Sequence, residues 1–134
     1  MGYNKDNFKR IRAEYGVKAF RAQAEADNRR EELYREIPQL REMDGQLASF
    51  GLRIMEAALK GGDTAGAIAT LRRENEKLRA VRNELLRKRG YAEDYSDPRY
   101  ECADCRDTGY VGIKMCKCMR RRLVEAGMES SGLS

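Results

Sequence analysis

Apolar residues recur in steps of three and four along the first ninety positions, and each change in that rhythm marks a change of element. Asp6-Asn7 reads as a helix N-cap, followed by Phe8, Ile11, Tyr15, Ala19, Ala22 and Ala26 on one face. Beyond Phe20 this stripe thins into alanine and charge. Leu33, Ile37, Leu40, Asp44, Leu47, Gly51, Ile54 and Ala58 then alternate steps of four and three, as a coiled-coil seam does. Pro38 interrupts that run, since proline carries no backbone N–H, so two helices are expected, over 6–36 and 38–60. Lys60-Gly61-Gly62 is a stop and a turn. Asp63 or Thr64 caps a third helix over 64–89, with its seam at Thr64, Ile68, Leu71, Asn75, Leu78, Arg82 and Leu85. Asn75 at a seam position is a register-setting device, although a solvent-facing Asn would look the same in sequence. A glycine link this short between two long helices requires an antiparallel hairpin.

The rhythm stops at Gly90. Residues 91–101 have neither helical nor strand period and contain Asp97-Pro98, which makes them a connector. In the module over 102–126, Tyr110, Val111, Ile113 and Met115 with Gly112 near the turn suit a short β-hairpin, and a last helix starts near Arg120. Residues 127–134 read as a turn-like tail. The expected fold is mainly α: a long antiparallel, coiled-coil-like helical hairpin with an extra N-terminal helix, then a small four-cysteine zinc knuckle with a short β-hairpin. In domain terms, residues 1–90 are expected to be helical, 91–101 connecting, 102–126 metal-binding and 127–134 a tail.

Composition narrows this further. With 37% charged residues, three Phe and no Trp in 134 residues, the apolar supply suits helix seams and a small satellite cluster. The net charge of +5 is concentrated in residues 51–90, where ten Lys/Arg face five Asp/Glu. Affinity for nucleic acid is therefore allowed but not required. No apolar run approaches the roughly 18 residues of a membrane-spanning helix, and the basic start lacks a signal-peptide core. A cytoplasmic protein is expected.

The chemistry lies in YECADCRDTGYVGIKMCKCMRRR, which holds all four cysteines of a chain without histidine. Cys102 and Cys105, with two residues between them, can chelate one metal across a tight turn, and Cys116 and Cys118 supply a second pair. Four thiolates make a closed tetrahedral site of a structural kind, with one Zn2+ per chain as the default. An iron–sulfur site or free thiols remain alternatives. Disulfides are disfavoured, because a Cys-x-Cys bridge is badly strained and clustered cytosolic cysteines are more often metal ligands. Catalysis finds no support: no phosphate loop, no nucleophile elbow and no histidine are present. Arg120, Arg121 and Arg122 are candidate phosphate contacts, although a solvated helix start would look the same. Phe20, Tyr34, Phe50 and Met55 fall off the main seam. They either dock a partner or pack the first helix against the hairpin.

Taken together, Ile37-Pro38-Gln39-Leu40-Arg41-Glu42, Ala57-Ala58-Leu59-Lys60-Gly61-Gly62-Asp63, Leu85-Leu86 with Gly90-Tyr91, Asp97-Pro98-Arg99-Tyr100 and CADCRDTGYVGIKMCKC resemble the N-terminal region of bacterial and phage replicative helicase loaders of the DnaC/DnaI type. Glu129-Ser130-Ser131-Gly132-Leu133 resembles that family's approach to its ATPase domain. The resemblance implies an adaptor that binds a hexameric replicative helicase in the primosome and helps place it on single-stranded DNA. It also implies zinc ligation by Cys102, Cys105, Cys116 and Cys118. The family's ATP chemistry belongs to a C-terminal AAA+ domain with no matching positions here, so this chain is expected not to be an enzyme. Direct binding of nucleic acid by a zinc protein is the alternative function.

Overall fold

In the computed structural model, which describes residues 4–132, the order of elements is α1 (Lys5–Glu36), α2 (Gln39–Lys60), α3 (Ala65–Lys88), β1 (Tyr110–Val111), β2 (Lys114–Met115) and α4 (Lys117–Ser131). The chain is mainly helical, with one two-stranded antiparallel hairpin in which Tyr110 pairs with Met115 and Val111 with Lys114. It forms two compact units: Asn28–Ser96, and Met1–Asp27 together with Asp97–Ser134. These units cut across the 1–90 segment read from the sequence. The reason is that the first turns of α1 bury their apolar face in the cysteine module.

In the unit Asn28–Ser96, the end of α1 leads through Ile37-Pro38 into α2. Pro38 interrupts the helix; the chain re-enters it through Leu40 N–H on Ile37 O at 3.0 Å and Arg41 N–H on Pro38 O at 3.3 Å. Leu33, Ile37, Leu40 and Leu86 are fully buried here, with Tyr34, Met43, Leu85, Tyr91 and Tyr95 packed around them. α3 gives way to Gly90, whose positive φ of 84° lets the Tyr91 N–H reach Leu86 O at 2.9 Å. The Tyr95 hydroxyl then donates to Glu32 at 3.0 Å, and Arg29 Nε donates to Tyr95 O at 2.8 Å, holding the connector on the helices.

α2 and α3 form the expected hairpin, turning through Gly61 and Gly62 at φ 72° and 74°. On α3 the seam runs through half-buried Ile68, Leu71, Asn75, Leu78 and Leu85 and buried Arg82, with half-buried Thr64 just ahead of the helix. On α2 it differs from the expected register. Gly51 and Ala58 are exposed, and the half-buried positions are Leu47, Phe50, Ile54 and Ala57. The rhythm is kept but its phase differs: Phe50 and Ala57 take the places read for Gly51 and Ala58, since glycine has no side chain to bury and Phe50 has a large apolar ring. Asp44 and Arg82 meet across the seam at 2.6 Å, and the Tyr34 hydroxyl donates to the other Asp44 oxygen at 2.5 Å. Burial first, and that hydrogen bond second, push the Tyr34 hydroxyl up to about 12, so it remains a donor at physiological pH. Between Arg41 and Val81 no residue is fully buried.

The other unit is denser. Ile11, Tyr15, Cys105, Cys116, Met119, Leu123 and Ala126 form one core, with Phe8, Cys102, Tyr110, Met115 and Cys118 packed against it. The helix cap falls on Asn4, not on Asp6-Asn7: its Oδ1 accepts the Asp6 and Asn7 N–H groups at 2.8 and 3.1 Å. Asn7 is instead buried and donates to Ser130 Oγ at 3.0 Å. Residues 127–131, expected to be tail, continue α4, which ends at Gly132 in the left-handed conformation with φ 78°. Met119, Leu123, Ala126 and Ser130 follow one face, so the bonding partner of Asn7 continues the stripe that builds the core. Leu133 and Ser134 lie outside the described residues.

Candidate metal centre

Each half of the cysteine site is built by local backbone chemistry. Cys102 and Cys105 flank a tight turn closed by the Arg106 N–H on Cys102 O at 2.9 Å. Arg106 and Asp107 then take positive φ values of 54° and 59°, a conformation that suits a short polar side chain such as Asp107. The Asp107 carboxylate is buried and turns back to accept the Cys102 N–H at 2.9 Å and the Glu101 N–H at 3.1 Å. Thr108 Oγ1 donates to Cys105 O at 2.6 Å and accepts the Tyr110 N–H at 3.2 Å. These bonds set the entry and exit of the first cysteine pair.

The β-hairpin carries the chain to the second pair. Gly109 O accepts the Cys116 N–H at 2.8 Å, tying the two halves together. Gly109 has φ 86°, and a Cβ there would lie 2.7 Å from Met119 Sδ, so only glycine fits without displacement. Cys116 is the N-cap residue of α4, and Cys118 lies in its first turn. Both residues therefore sit at the N-terminal end of α4, so one short segment sets the positions of both sulfurs.

The four Sγ atoms lie within 4.8 Å of one another, with Cys102 to Cys116 at 3.8 Å and Cys105 to Cys118 at 3.6 Å. A metal with Zn–S bonds of about 2.3 Å needs tetrahedral sulfur edges of about 3.8 Å, so these two separations match such a site. They are far longer than the roughly 2.05 Å of a disulfide bond, and all four cysteines are free. This donor set can hold one metal ion and leaves no open coordination position. Without a metal, burial pushes the Cys118 thiol up to about 12 and also raises Cys105. Backbone N–H groups, that of Cys105 foremost, hold Cys102 down to about 7.

Comparison with family models, curated proteins and solved structures finds no match. The reading of the site therefore rests on its own residues.

Around the sulfurs stand residues that spacing did not single out as functional. The Tyr15 hydroxyl, reaching in from α1, donates to Cys118 Sγ at 3.0 Å, and Tyr15 is only 5% exposed. Burial raises its hydroxyl further above its ordinary value, and the bond to Cys118 adds to this. Lys18 sits over the Tyr15 ring at 5.2 Å and pairs with Glu101 at 2.9 Å. Tyr15 was visible in the sequence as a stripe residue; its hydroxyl's partner was not.

The remaining candidates divide. Arg122 pairs with Glu14 at 3.4 Å and Glu129 at 3.8 Å and is half-buried, while Arg120 and Arg121 are exposed. Phe20, at 77%, and Met55, at 59%, are exposed on α1 and α2, respectively. Tyr34 and Phe50 are half-buried. No helix among the described residues is long and apolar enough to cross a membrane.

Proposed function

We propose that this chain is a protein-docking adaptor, the N-terminal domain of a replicative helicase loader, with one structural Zn2+ held by Cys102, Cys105, Cys116 and Cys118. The observation that carries the reading is the closed four-sulfur cluster formed by the same CADCRDTGYVGIKMCKC run that bears the resemblance. A tetrahedral thiolate site without an open position holds a fold together instead of activating water. Support for docking comes from Phe20 and Val17, exposed on α1 at 77% and 55%. The partner in this reading is a hexameric replicative helicase, bound without ATP. Elemental analysis should find one zinc per chain, and the intact chain should capture a purified hexameric bacterial replicative helicase. Metal-free protein with thiols oxidised in pairs, or no capture of the helicase, would overturn the reading.

Direct binding of single-stranded nucleic acid is the second reading. It is favoured by Lys117, Arg120 and Arg121, which stand exposed at the start of α4. Binding that weakens steeply with salt, and is lost on Arg120→Glu/Arg121→Glu, would select it over helicase docking.

A further inference from the structure

The α2–α3 hairpin leaves a second apolar seam uncovered. Gly45, Ala48, Leu52, Met55 and Leu59 of α2 alternate steps of three and four, and all are exposed, with Leu52 at 60%, Met55 at 59% and Leu59 at 82%. Steps of three and four keep a stripe on one side of a helix. Each residue advances the helix by about 100°, so this stripe lies on the far side of α2 from Leu47, Phe50 and Ile54, which belong to the seam with α3. Two hydrophobic seams on one helix belong to a helix with neighbours on both sides, and among the described residues of this unit only α3 runs along α2.

We propose that this second seam pairs α2 with α2 of another copy of the chain, antiparallel about a two-fold axis at Leu52. The stripe is graded, small at its N-terminal end and large at its C-terminal end. A two-fold at Leu52 sets Gly45 at the height of Leu59 and Leu52 at that of its own copy. Ala48 then falls within about 1.5 Å, one residue's rise, of the height of Met55. Each of the larger side chains at the ends thus faces a small one, which is the interdigitation a close helix pair needs. Parallel pairing would instead set Gly45 against Gly45 and leave a gap at that end. Along one edge of the stripe stand Ser49 and Glu56, and the axis sets each glutamate beside a serine. Along the other stand Gly51 and Ala58, so neither edge places like charges together. An isologous contact of this kind closes on itself as a dimer. The stripe is only about 21 Å long at 1.5 Å per residue, so association belongs in the weak, micromolar-to-millimolar range.

Sedimentation equilibrium of the intact, metal-loaded chain should show a monomer–dimer equilibrium, weakened at least about tenfold by Leu52→Glu. Because Leu52 is exposed, that variant should keep the helical signal of the parent. Orientation is read by cysteine crosslinking under mild oxidation. Leu52→Cys should form a covalent dimer; Leu59→Cys and the unsubstituted chain should not. A chain that stays monomeric into the millimolar range, an association unaffected by Leu52→Glu, or crosslinking of Leu59→Cys as fast as that of Leu52→Cys would each overturn the proposal. None of these readouts depends on helicase capture, so failure of the dimer and failure of the adaptor reading are told apart.

Discussion

The two compact units solve the same shortage of apolar residues by different means. The hairpin stretch Arg41–Val81 spans forty-one residues without one fully buried side chain, and relies on a half-buried seam and the Asp44–Arg82 pair. The cysteine unit buries Ile11, Met119, Leu123 and Ala126 completely or nearly so, around four sulfurs. Its loops have no regular ladder beyond two short strands, and are ordered by single backbone bonds such as Cys116 N–H to Gly109 O, by side-chain hydrogen bonds and by packing around the sulfurs. Secondary structure and burial are therefore separate resources. One unit has long helices and little core, the other a real core and little regular backbone outside α1 and α4.

The sharpest way to break this comparison is to remove one sulfur of the proposed zinc site. Cys116→Ser should abolish metal binding and unfold the cysteine module, since structural zinc contributes on the order of 10 kcal/mol to folding such modules. The α2–α3 helical signal should remain. A smaller step is Leu86→Ala or Leu40→Ala, which should cost about 2–5 kcal/mol in thermal or denaturant unfolding because both side chains are fully buried. Leu71→Ala and Leu78→Ala, in the half-buried seam, should cost distinctly less. If the seam pair proves as costly as the buried pair, the α2–α3 seam is as well packed as the buried cluster and the contrast between the two units fails.

Tyr15→Phe sharpens the comparison from the other side. It keeps the ring in the core and deletes the hydroxyl that meets Cys118 Sγ. Partners of metal ligands are typically worth about 10- to 100-fold in metal affinity, so competition titration should show a loss of that order, with a shifted cobalt–thiolate absorption. Acidity should act in the same direction. Burial holds Cys105 and Cys118 protonated in the metal-free fold, so metal uptake releases protons and affinity should fall as the pH falls. The smallest effect is expected at Arg73 and Glu76, exposed on α3, where substitution should change stability by under about 1 kcal/mol.

Much of this was legible in the sequence because it follows from short-range periodicity. Pro38, Gly61-Gly62 and Gly90 punctuate the helices, and the α3 seam falls where the repeat put it. The α2 seam shifted at Phe50 because periodicity alone does not fix its phase: Gly51 has no side chain to bury, and the neighbouring ring of Phe50 is half-buried in its place. The extension of α4 to Ser131 was missed because Gly127 and the serines read as turn formers, while burial of Leu123 and Ala126 carries the helix past them. The four cysteines announced themselves by spacing. Their supporting groups did not: Asp107 acts through a left-handed backbone, and Tyr15 lies 103 residues from Cys118. The outer seam of α2 was readable but hidden behind the inner one, since both use the same helix in the same rhythm.

If the metal organises one unit and is dispensable for the other, residue-resolved hydrogen exchange on the intact chain, before and after chelation, tests that division most directly. Amides of residues 8–26 and 102–126 should lose protection together, because Ile11 and Tyr15 share a core with the cysteines, while those of 65–88 keep theirs. Protection retained at 8–26 and 102–126 after the metal is gone would contradict it, as would a simultaneous loss along α3.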